Sequence, residues 1–86
     1  MSIEKRDCPH YKLIRSGVTP RAALCETCRV DAPLRMCLEC GHVGCCESSS
    51  AHAKAHAASS KHPLIRQLPI REASFTWCYE CNEYLR

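Results

Sequence analysis

Cysteine and histidine residues recur along this chain at the spacings by which short turns chelate a metal ion. Three Cys-x-x-Cys pairs and one Cys-x-His pair each place two donor side chains on one tight turn, and further histidines follow at short intervals. A structural zinc site takes four such donors in a tetrahedron, so three closed sites need twelve. The chain offers these twelve candidates: Cys8, His10, Cys25, Cys28, Cys37, Cys40, Cys45, His52, His56, His62, Cys78 and Cys81.

Metal binding also answers how so short a chain can fold. With 86 residues, one Trp and one Phe, the chain has little apolar material for a core, and much of its hydrophobic fraction is Ala and Cys. Domains of this size usually need staples, and a structural zinc contributes roughly 10 kcal/mol or more at neutral pH. We therefore predict up to three zinc ions. Because closed four-ligand sites are structural, no enzymatic activity is expected.

A disulfide framework is the alternative interpretation of nine cysteines. The odd count, the recurring pairs and the interleaved histidines favour metal. The N-terminal residues are polar from position 2, which does not resemble a secretory signal. No apolar run approaches the roughly 20 residues that a membrane span needs. We expect a cytoplasmic protein in a reducing compartment, without membrane contact.

The charge distribution argues against nucleic-acid binding. The formal net charge is +3, the Lys and Arg residues are dispersed, and zinc-bound thiolates would lower the charge further. Nucleic-acid binding domains concentrate basic residues on one face. The histidine placement on an alanine-rich segment also argues against a cross-braced finger of the ubiquitin-ligase kind. We expect a protein partner and a monomer.

Local patterns predict one helix and three strands. Residues 48–58 combine serines suited to an N-cap with alanines, and His52 and His56 share one face at i and i+4. Pro63 ends this segment. Strand character is seen at residues 34–38, 64–68 and 75–79. Gly41 suits a turn with positive φ. We expect residues 1–7 to be flexible and residues 8–86 to form a single α+β domain.

The order of these motifs resembles the zinc finger of ubiquitin-specific proteases, the UBP-type finger. The run GHVGCCESS at 41–49 resembles the stand-alone bacterial members of that family. The resemblance covers nearly everything from Cys8 to Tyr84. It rests on CPH at 8–10, CETC at 25–28, CLEC at 37–40, Cys45, His52, His56, His62-Pro63, WCYEC at 77–81 and Tyr84.

The resemblance implies a ligand partition that spacing alone leaves open. The implied fold is a short antiparallel sheet with packed helices, in which two of the zinc sites interleave as a cross-brace. The implied sets are Cys8, His10, Cys78 and Cys81; Cys25, Cys28, Cys45 and His52; and Cys37, Cys40, His56 and His62.

The resemblance also implies a binding pocket for a protein tail. Better-studied members bind the free C-terminal Gly-Gly of ubiquitin in an aromatic slot, and Trp77, Tyr79 and Tyr84 match the pocket positions. After the cysteine that matches Cys45, those members carry Gly-Arg-Tyr, whereas this chain has Cys46, Glu47 and Ser48. The altered pocket implies a ubiquitin-like or a different C-terminal tail as partner. Arg35 and Arg66 are candidate replacements for the missing cation.

Two other functions remain open at the level of sequence. Cys46 adjoins a candidate zinc ligand and precedes the predicted helix, where a thiolate is stabilised, so a redox or metal-responsive role is one alternative. A purely structural zinc scaffold is the other. His42 lies outside the ligand pattern and is not expected to bind metal.

Overall fold

A computed structural model of the protein describes residues 2–14, 17–47 and 49–86. Within these ranges the backbone forms six strands, one α-helix and two short 3-10 turns, at Lys5–Asp7 and Tyr11–Leu13. None of the described helices has the length and apolar character to cross a membrane. The remaining elements are β1 (Ser2–Ile3), β2 (Leu34–Cys37), β3 (Val43–Cys45), α1 (His52–Ser60), β4 (Leu64–Leu68), β5 (Thr76–Cys78) and β6 (Glu83–Leu85).

The strands form one sheet in the order β1-β6-β5-β4-β2-β3. Every neighbouring pair is antiparallel except β1 and β6, which run parallel, so the sheet is mixed. The predicted α+β class is confirmed, with a single α-helix among the described residues. β4 has the predicted bounds, and β2 and β5 lie inside their predicted ranges. β1, β3 and β6 were not predicted.

The two faces of the sheet differ because side chains alternate along each strand. One face buries two apolar clusters, one around Leu64, Cys78 and Leu85 and the other around Leu34 and Val43. Residues before β2 cover this face, among them Cys8, Tyr11, Ala22 and Cys25. The opposite face carries α1 and a cross-strand row in which Ile65, Trp77 and Tyr84 are paired neighbours.

α1 begins at His52, later than the predicted start at position 48. Ala51 has a left-handed φ of 56° and makes no side-chain cap, so the expected serine N-cap is wrong for the described residues. The backbone N–H groups of Ser49 and Ala51 both donate to the Cys46 carbonyl, which makes this segment a tight turn. Ser48 lies outside the described residues.

Part of the start that was expected to be flexible lies in a strand, while the flexibility of residues 1–7 stays a prediction. Ser2 and Ile3 pair with Tyr84 and Leu85 of β6. The Arg86 N–H also donates to the Ile3 carbonyl at 2.8 Å. A strand of two residues is too short to show the alternation by which sequence patterns reveal strands, and its partner is the last strand of the chain.

Gly44 allows α1 to lie directly on β3. A Cβ built at this position would meet the Ala53 backbone nitrogen at 2.5 Å and its Cα at 2.8 Å. We expect Gly44→Ala to lower the free energy of unfolding by about 1–3 kcal/mol, because helix backbone cannot move aside as a side chain can. Denaturant unfolding of the zinc-loaded protein, read by circular dichroism, measures this.

Gly17→Ala is the matched control for that variant. Gly17 has a φ of 87° and nothing within 4 Å of a built Cβ, so its substitution carries backbone strain without a clash. A Gly44→Ala protein as stable as the unmodified chain would contradict the close packing of α1 on β3.

Candidate metal centres and aromatic pocket

The two ends of the chain meet in a group of three thiols and one imidazole, the terminal cluster. It consists of Cys8, His10, Cys78 and Cys81. His10 Nδ1 lies 3.7, 3.4 and 3.7 Å from the three Sγ atoms in that order, and Cys8 Sγ lies 3.6 Å from Cys81 Sγ. Cys8 and Cys78 are fully buried. The cluster therefore ties the first turn of the chain to the turn after β5.

A second group, the CETC cluster, joins the turn before β2 to β3 and α1. It consists of Cys25, Cys28, Cys45 and His52. His52 Nδ1 lies 3.5 Å from Cys25 Sγ and 3.3 Å from Cys45 Sγ, and Cys28 Sγ lies 3.9 Å from Cys45 Sγ. The Cys28 N–H points at Cys25 Sγ at 3.5 Å, as the Cys81 N–H does at Cys78 Sγ. Both turns thus direct a backbone dipole at a thiol.

The third group, the CLEC cluster, consists of Cys37, Cys40, His56 and His62. Cys37 Sγ lies 3.6 Å from His62 Nδ1, and Cys40 Sγ lies 3.4 Å from His56 Nε2. His62 turns its other nitrogen, Nε2, to the Glu39 carboxylate at 3.4 Å. Such an outer contact fixes which ring nitrogen faces a metal.

His42 lies beside the CLEC cluster and outside all three groups. Its ring stacks on that of His56, with centroids 4.0 Å apart and planes 5° apart. His42 belongs to none of the three groups among the described residues, and the expectation that it does not bind metal stays a prediction.

The donor atoms fit a tetrahedral zinc ion. Bond lengths of about 2.3 Å to sulfur and 2.0 Å to nitrogen give tetrahedral edges of roughly 3.8 Å between sulfurs and 3.5 Å between sulfur and nitrogen. In the structure the corresponding distances are 3.6 and 3.9 Å between sulfurs and 3.3 to 3.7 Å between sulfur and nitrogen. A disulfide needs about 2.05 Å. Each cluster could therefore hold one zinc ion.

The pKa values of the thiols also favour zinc binding. The pKa of the Cys37 thiol is raised to about 11, first by burial and then by its hydrogen bond with Cys40 and the charge of that neighbour. The pKa of Cys25 is lowered to about 6: burial acts to raise it, and backbone N–H groups at Cys28 and Thr27 outweigh that effect. Crowded thiols oppose one another's ionisation, whereas a divalent cation favours every thiolate at once.

The observed partition is the one that the resemblance implies. CETC and CLEC ligands alternate along the chain, because Cys45 and His52 return to the first pair while His56 and His62 return to the second. The predicted cross-brace is therefore present in the geometry of the clusters.

All three predicted pocket residues line one groove of about 330 Å³. The Trp77 and Tyr84 rings meet edge to face with centroids 4.7 Å apart. The pKa of the Tyr79 hydroxyl is raised to about 12, first by burial and then by the charge of Glu47, while Arg35 acts to lower it. Tyr79 thus remains a hydrogen-bond donor at neutral pH, with opposite charges near it.

Arg35 is the cation of this groove, and Arg66 is not. The Arg35 guanidinium stacks over Phe75, with Cζ 4.8 Å from the ring centroid, and donates to the Leu34 carbonyl at 2.9 Å. In β4 it is Ile65 that lines the groove, so the neighbouring Arg66 points to the opposite face of the sheet. There it donates to the Arg71 carbonyl. The alternation of LRMC in β2 is the sequence signal that could have distinguished Arg35 from Arg66. It could be used only when the register between β2 and β4 was known.

Phe75 was missed as a pocket residue. It lies two positions before Trp77 and four before Tyr79, so the alternation of FTWCY already places all three rings on one side. Cys46 and Glu47 complete the groove wall. Cys46 is buried and belongs to none of the three clusters among the described residues. Its redox or metal-responsive role stays a prediction.

Comparison with known proteins places these features in one family. A family profile described as "Zn-finger in ubiquitin-hydrolases and other protein" matches residues 25–86. Histone deacetylase 6 of Caenorhabditis elegans is 33% identical over 82 residues, covering 91% of this chain and 8% of that protein. Ubiquitin carboxyl-terminal hydrolase 16 of Danio rerio is 39% identical over 51 residues, covering 56% and 6%.

A solved structure resembles the whole fold. The solution NMR structure of a Rhodopseudomonas palustris protein superimposes with a TM-score of 0.77 at 37% identity, covering 99% of this chain and 83% of that one.

The fold and clusters define a small zinc-binding domain. The chain belongs to the UBP-type zinc-finger family. It spans less than a tenth of the length of the deacetylase and the hydrolase that it matches.

Zinc removal should unfold the domain. Of the eight residues that form the two buried clusters, four are candidate ligands: Cys8, Cys25, Cys45 and Cys78. We expect three zinc ions per chain by native mass spectrometry, and loss of the sheet signal in circular dichroism when excess chelator is added under reducing conditions. A chain that keeps its sheet after complete metal removal would contradict this dependence.

Glu39 should strengthen the CLEC site through His62. We expect Glu39→Ala to lower zinc affinity at that site about tenfold, because the His62 ring loses the acceptor that orients it. Competition with a chromophoric chelator gives the affinity, and NMR of the cadmium-substituted protein identifies the site. Glu80→Ala is the matched control, since Glu80 occupies the same place in CYEC. Equal affinity loss in both variants would argue against the contact.

Proposed function

We propose that this chain is a zinc-built recognition module that binds the free C-terminal tail of another protein. The observation that carries the proposal is the groove that joins the Trp77, Tyr79 and Tyr84 rings to the Arg35 guanidinium. Zinc has a structural role in this proposal, and the module has no catalytic activity of its own. It acts as a monomer in the reducing cytoplasm, where its thiols remain available to zinc.

The aromatic walls suit a tail that ends in small residues. The Trp77 and Tyr84 rings pack edge to face in the groove wall, and glycine can lie close against such rings because it has no side chain. The Tyr79 hydroxyl can donate to a peptide carbonyl, since its raised pKa keeps it protonated. Backbone recognition of this kind requires a chain end and not a specific side chain.

Arg35 is the proposed partner of the terminal carboxylate. A guanidinium can donate two parallel hydrogen bonds to a carboxylate, and this one is half-buried on a strand and stacked on Phe75. It thereby replaces the arginine that better-studied relatives carry at the position of Glu47. The names of the family and of the Danio rerio hydrolase connect the family with ubiquitin, whose tail ends in Gly-Gly. A ubiquitin-like tail or another protein's tail is the proposed ligand.

An NMR titration of the zinc-loaded protein tests this proposal. We expect the free acid Leu-Arg-Gly-Gly to shift the Trp77 indole signal and its amidated twin not to. Arg35→Gln should weaken binding of the free acid about 10- to 100-fold, because a charge-assisted hydrogen bond in a partly buried groove is lost. Lack of any difference between acid and amide would overturn the proposal.

Arg66→Gln is the matched control for Arg35→Gln. It removes the same charge from the same sheet, but its side chain lies outside the aromatic groove. Its affinity for the free acid should stay within about twofold of the unmodified protein, as expected for a distant charge in salt. Equal weakening by both variants would mean that net charge, and not Arg35, attracts the tail.

A further inference from the structure

A largely apolar groove, the rear groove, lies on the face of the sheet that is turned away from the aromatic rings. It has a volume of about 490 Å³. Met36 and Arg66 directly follow Arg35 and Ile65 in β2 and β4, so they point to the opposite face. The two grooves are therefore separate sites with the sheet between them. The residues that define the rear groove are Tyr11, Ile14, Met36, Leu38, Ile70 and its single charged lining residue, Arg66.

Arg66 is an unusual residue for the position that it occupies. Its cross-strand neighbours, Met36 in β2 and Thr76 in β5, are only 1% and 3% exposed. A cation between buried neighbours loses hydration, and arginine is rarely found in such a place unless it has a partner. An apolar side chain would cover this part of the sheet without that loss. The presence of a guanidinium here is therefore best explained by something that it binds.

The Arg66 guanidinium has donors and a charge that the described part of the chain does not match. Its Nη2 donates to the Arg71 carbonyl at 3.1 Å, whereas its Nε is buried and has no acceptor among the described residues. None of the carboxylates in the described ranges forms an ion pair with Arg66. A guanidinium carries five N–H donors and can meet a carboxylate with two parallel hydrogen bonds. A carboxylate from another molecule would therefore match both the charge and the donors.

The walls of the rear groove suit aliphatic side chains on both sides of that carboxylate. Ile70 is 44% exposed at the rim, and Tyr11, Ile14 and Leu38 are half-buried. A ligand that covers these side chains removes apolar surface from water. Because the rim at Gly17 and Ile70 is exposed, the groove suits side chains that a polypeptide presents, whereas free small ligands are usually enclosed on most sides.

We infer that the rear groove docks a segment of a partner protein in which one Asp or Glu stands between aliphatic residues, and that Arg66 binds its carboxylate. The segment needs no free chain end, because the carboxylate belongs to a side chain. This docking site goes beyond the proposed function and does not depend on it. The domain can hold two partners at once, since the aromatic groove and the rear groove share no lining residue.

An NMR titration of the zinc-loaded protein with end-blocked peptides tests the inference. In acetyl-Ser-Leu-Ser-Glu-Ser-Leu-Ser-amide, the Leu and Glu side chains lie on one side of an extended chain. We expect this peptide to shift the methyl signals of Met36 and Ile70 and to leave the Trp77 indole signal in place. Replacing its Glu by Gln should weaken binding about tenfold, and replacing both Leu by Ser should weaken it at least as much. A Gln peptide that binds as tightly as the Glu peptide would overturn the inference.

Variants of the protein assign the preference for Glu to Arg66. In Arg66→Gln the Glu peptide should bind no more than about 1.5-fold tighter than the Gln peptide, while circular dichroism confirms that the sheet is intact. Arg71→Gln is the matched control, because Arg71 is exposed, does not line the groove and contacts Arg66 only through its backbone carbonyl. This control should keep the preference within about twofold. If both variants abolish the preference alike, net charge attracts the peptide and the assignment to Arg66 is wrong.

Ile70→Ser tests the apolar wall separately from the charge. Ile70 is exposed, so its replacement removes a contact with the ligand and leaves the core as it is. We expect the Glu peptide to bind about three- to fivefold more weakly to this variant, with the ratio of Glu to Gln affinity unchanged. An unchanged affinity would contradict docking in the rear groove.

Two further measurements test the choice of occupant. The Ile70 methyl signal should not move when the protein alone is diluted; a shift with protein concentration would mean that a second copy of the chain covers the groove, and the inference would be wrong. Decanoate should bind more weakly than the Glu peptide; tighter binding would assign the groove to a small amphipathic anion instead. Since the peptides are blocked at both ends, their failure to bind would leave the proposed binding of a chain end at Arg35 unaffected.

Discussion

Tetrahedral coordination across distant parts of the chain is the constraint on which the rest of this structure depends. The CETC and CLEC clusters each draw one ligand from the same helix, since His52 and His56 lie one turn apart on α1. A rise of about 6 Å over four residues separates the two imidazoles along the axis. The position of α1 on β3 is therefore fixed by both clusters. Gly44 permits the close contact between them because it has no side chain.

The terminal cluster fixes the opposite edge of the sheet in the same manner. Its two halves come from the first and last turns of the chain, and closing so long a loop costs conformational entropy. Strand pairing shares that cost, because β1 lies beside β6 and the backbone of residue 86 bonds to that of Ile3. The terminal cluster and the pairing of β1 with β6 thus hold the same two parts of the chain together.

The parts that could be predicted from the sequence are those encoded by short spacings. The Cys-x-x-Cys turns and the strand at 64–68 are local patterns, and the structure has them where they were expected. The assignment of the twelve ligands to three sites depended on the family resemblance, because by spacing alone any ligand pair could share a zinc ion with any other pair. β3 and β6 have three residues each, too few for a periodic signal. Ser49 and Ser50 lie in a turn and do not begin the helix, because Ala51 adopts a left-handed conformation.

The aromatic groove was predictable as a set of rings but not as a charged site. Trp77, Tyr79 and Tyr84 were identified through the family's motif, whereas the position of Arg35 depends on the pairing of β2 with β4. A shift of that pairing by one residue would turn Arg35 to the opposite face. The register between β2 and β4 is a tertiary property, because it depends on how both strands bury their apolar side chains. The sequence alone therefore identifies Arg35 and Arg66 as candidates and does not decide between them.

The two charged residues of the groove wall, Arg35 and Glu47, differ in how firmly they are held. Arg35 is held by a central strand, by its bond to the Leu34 carbonyl and by Phe75, so little side-chain entropy remains to be lost when it meets an anion. Glu47 is an exposed residue of the turn before α1, and its attraction is weakened by water and salt. In the proposed binding mode, the sheltered Arg35 guanidinium therefore contributes more to the affinity for a chain end than an exposed charge of the groove wall. Arg35 lies in β2 and Glu47 in the turn before α1, so the charge at either position can change without displacing the other.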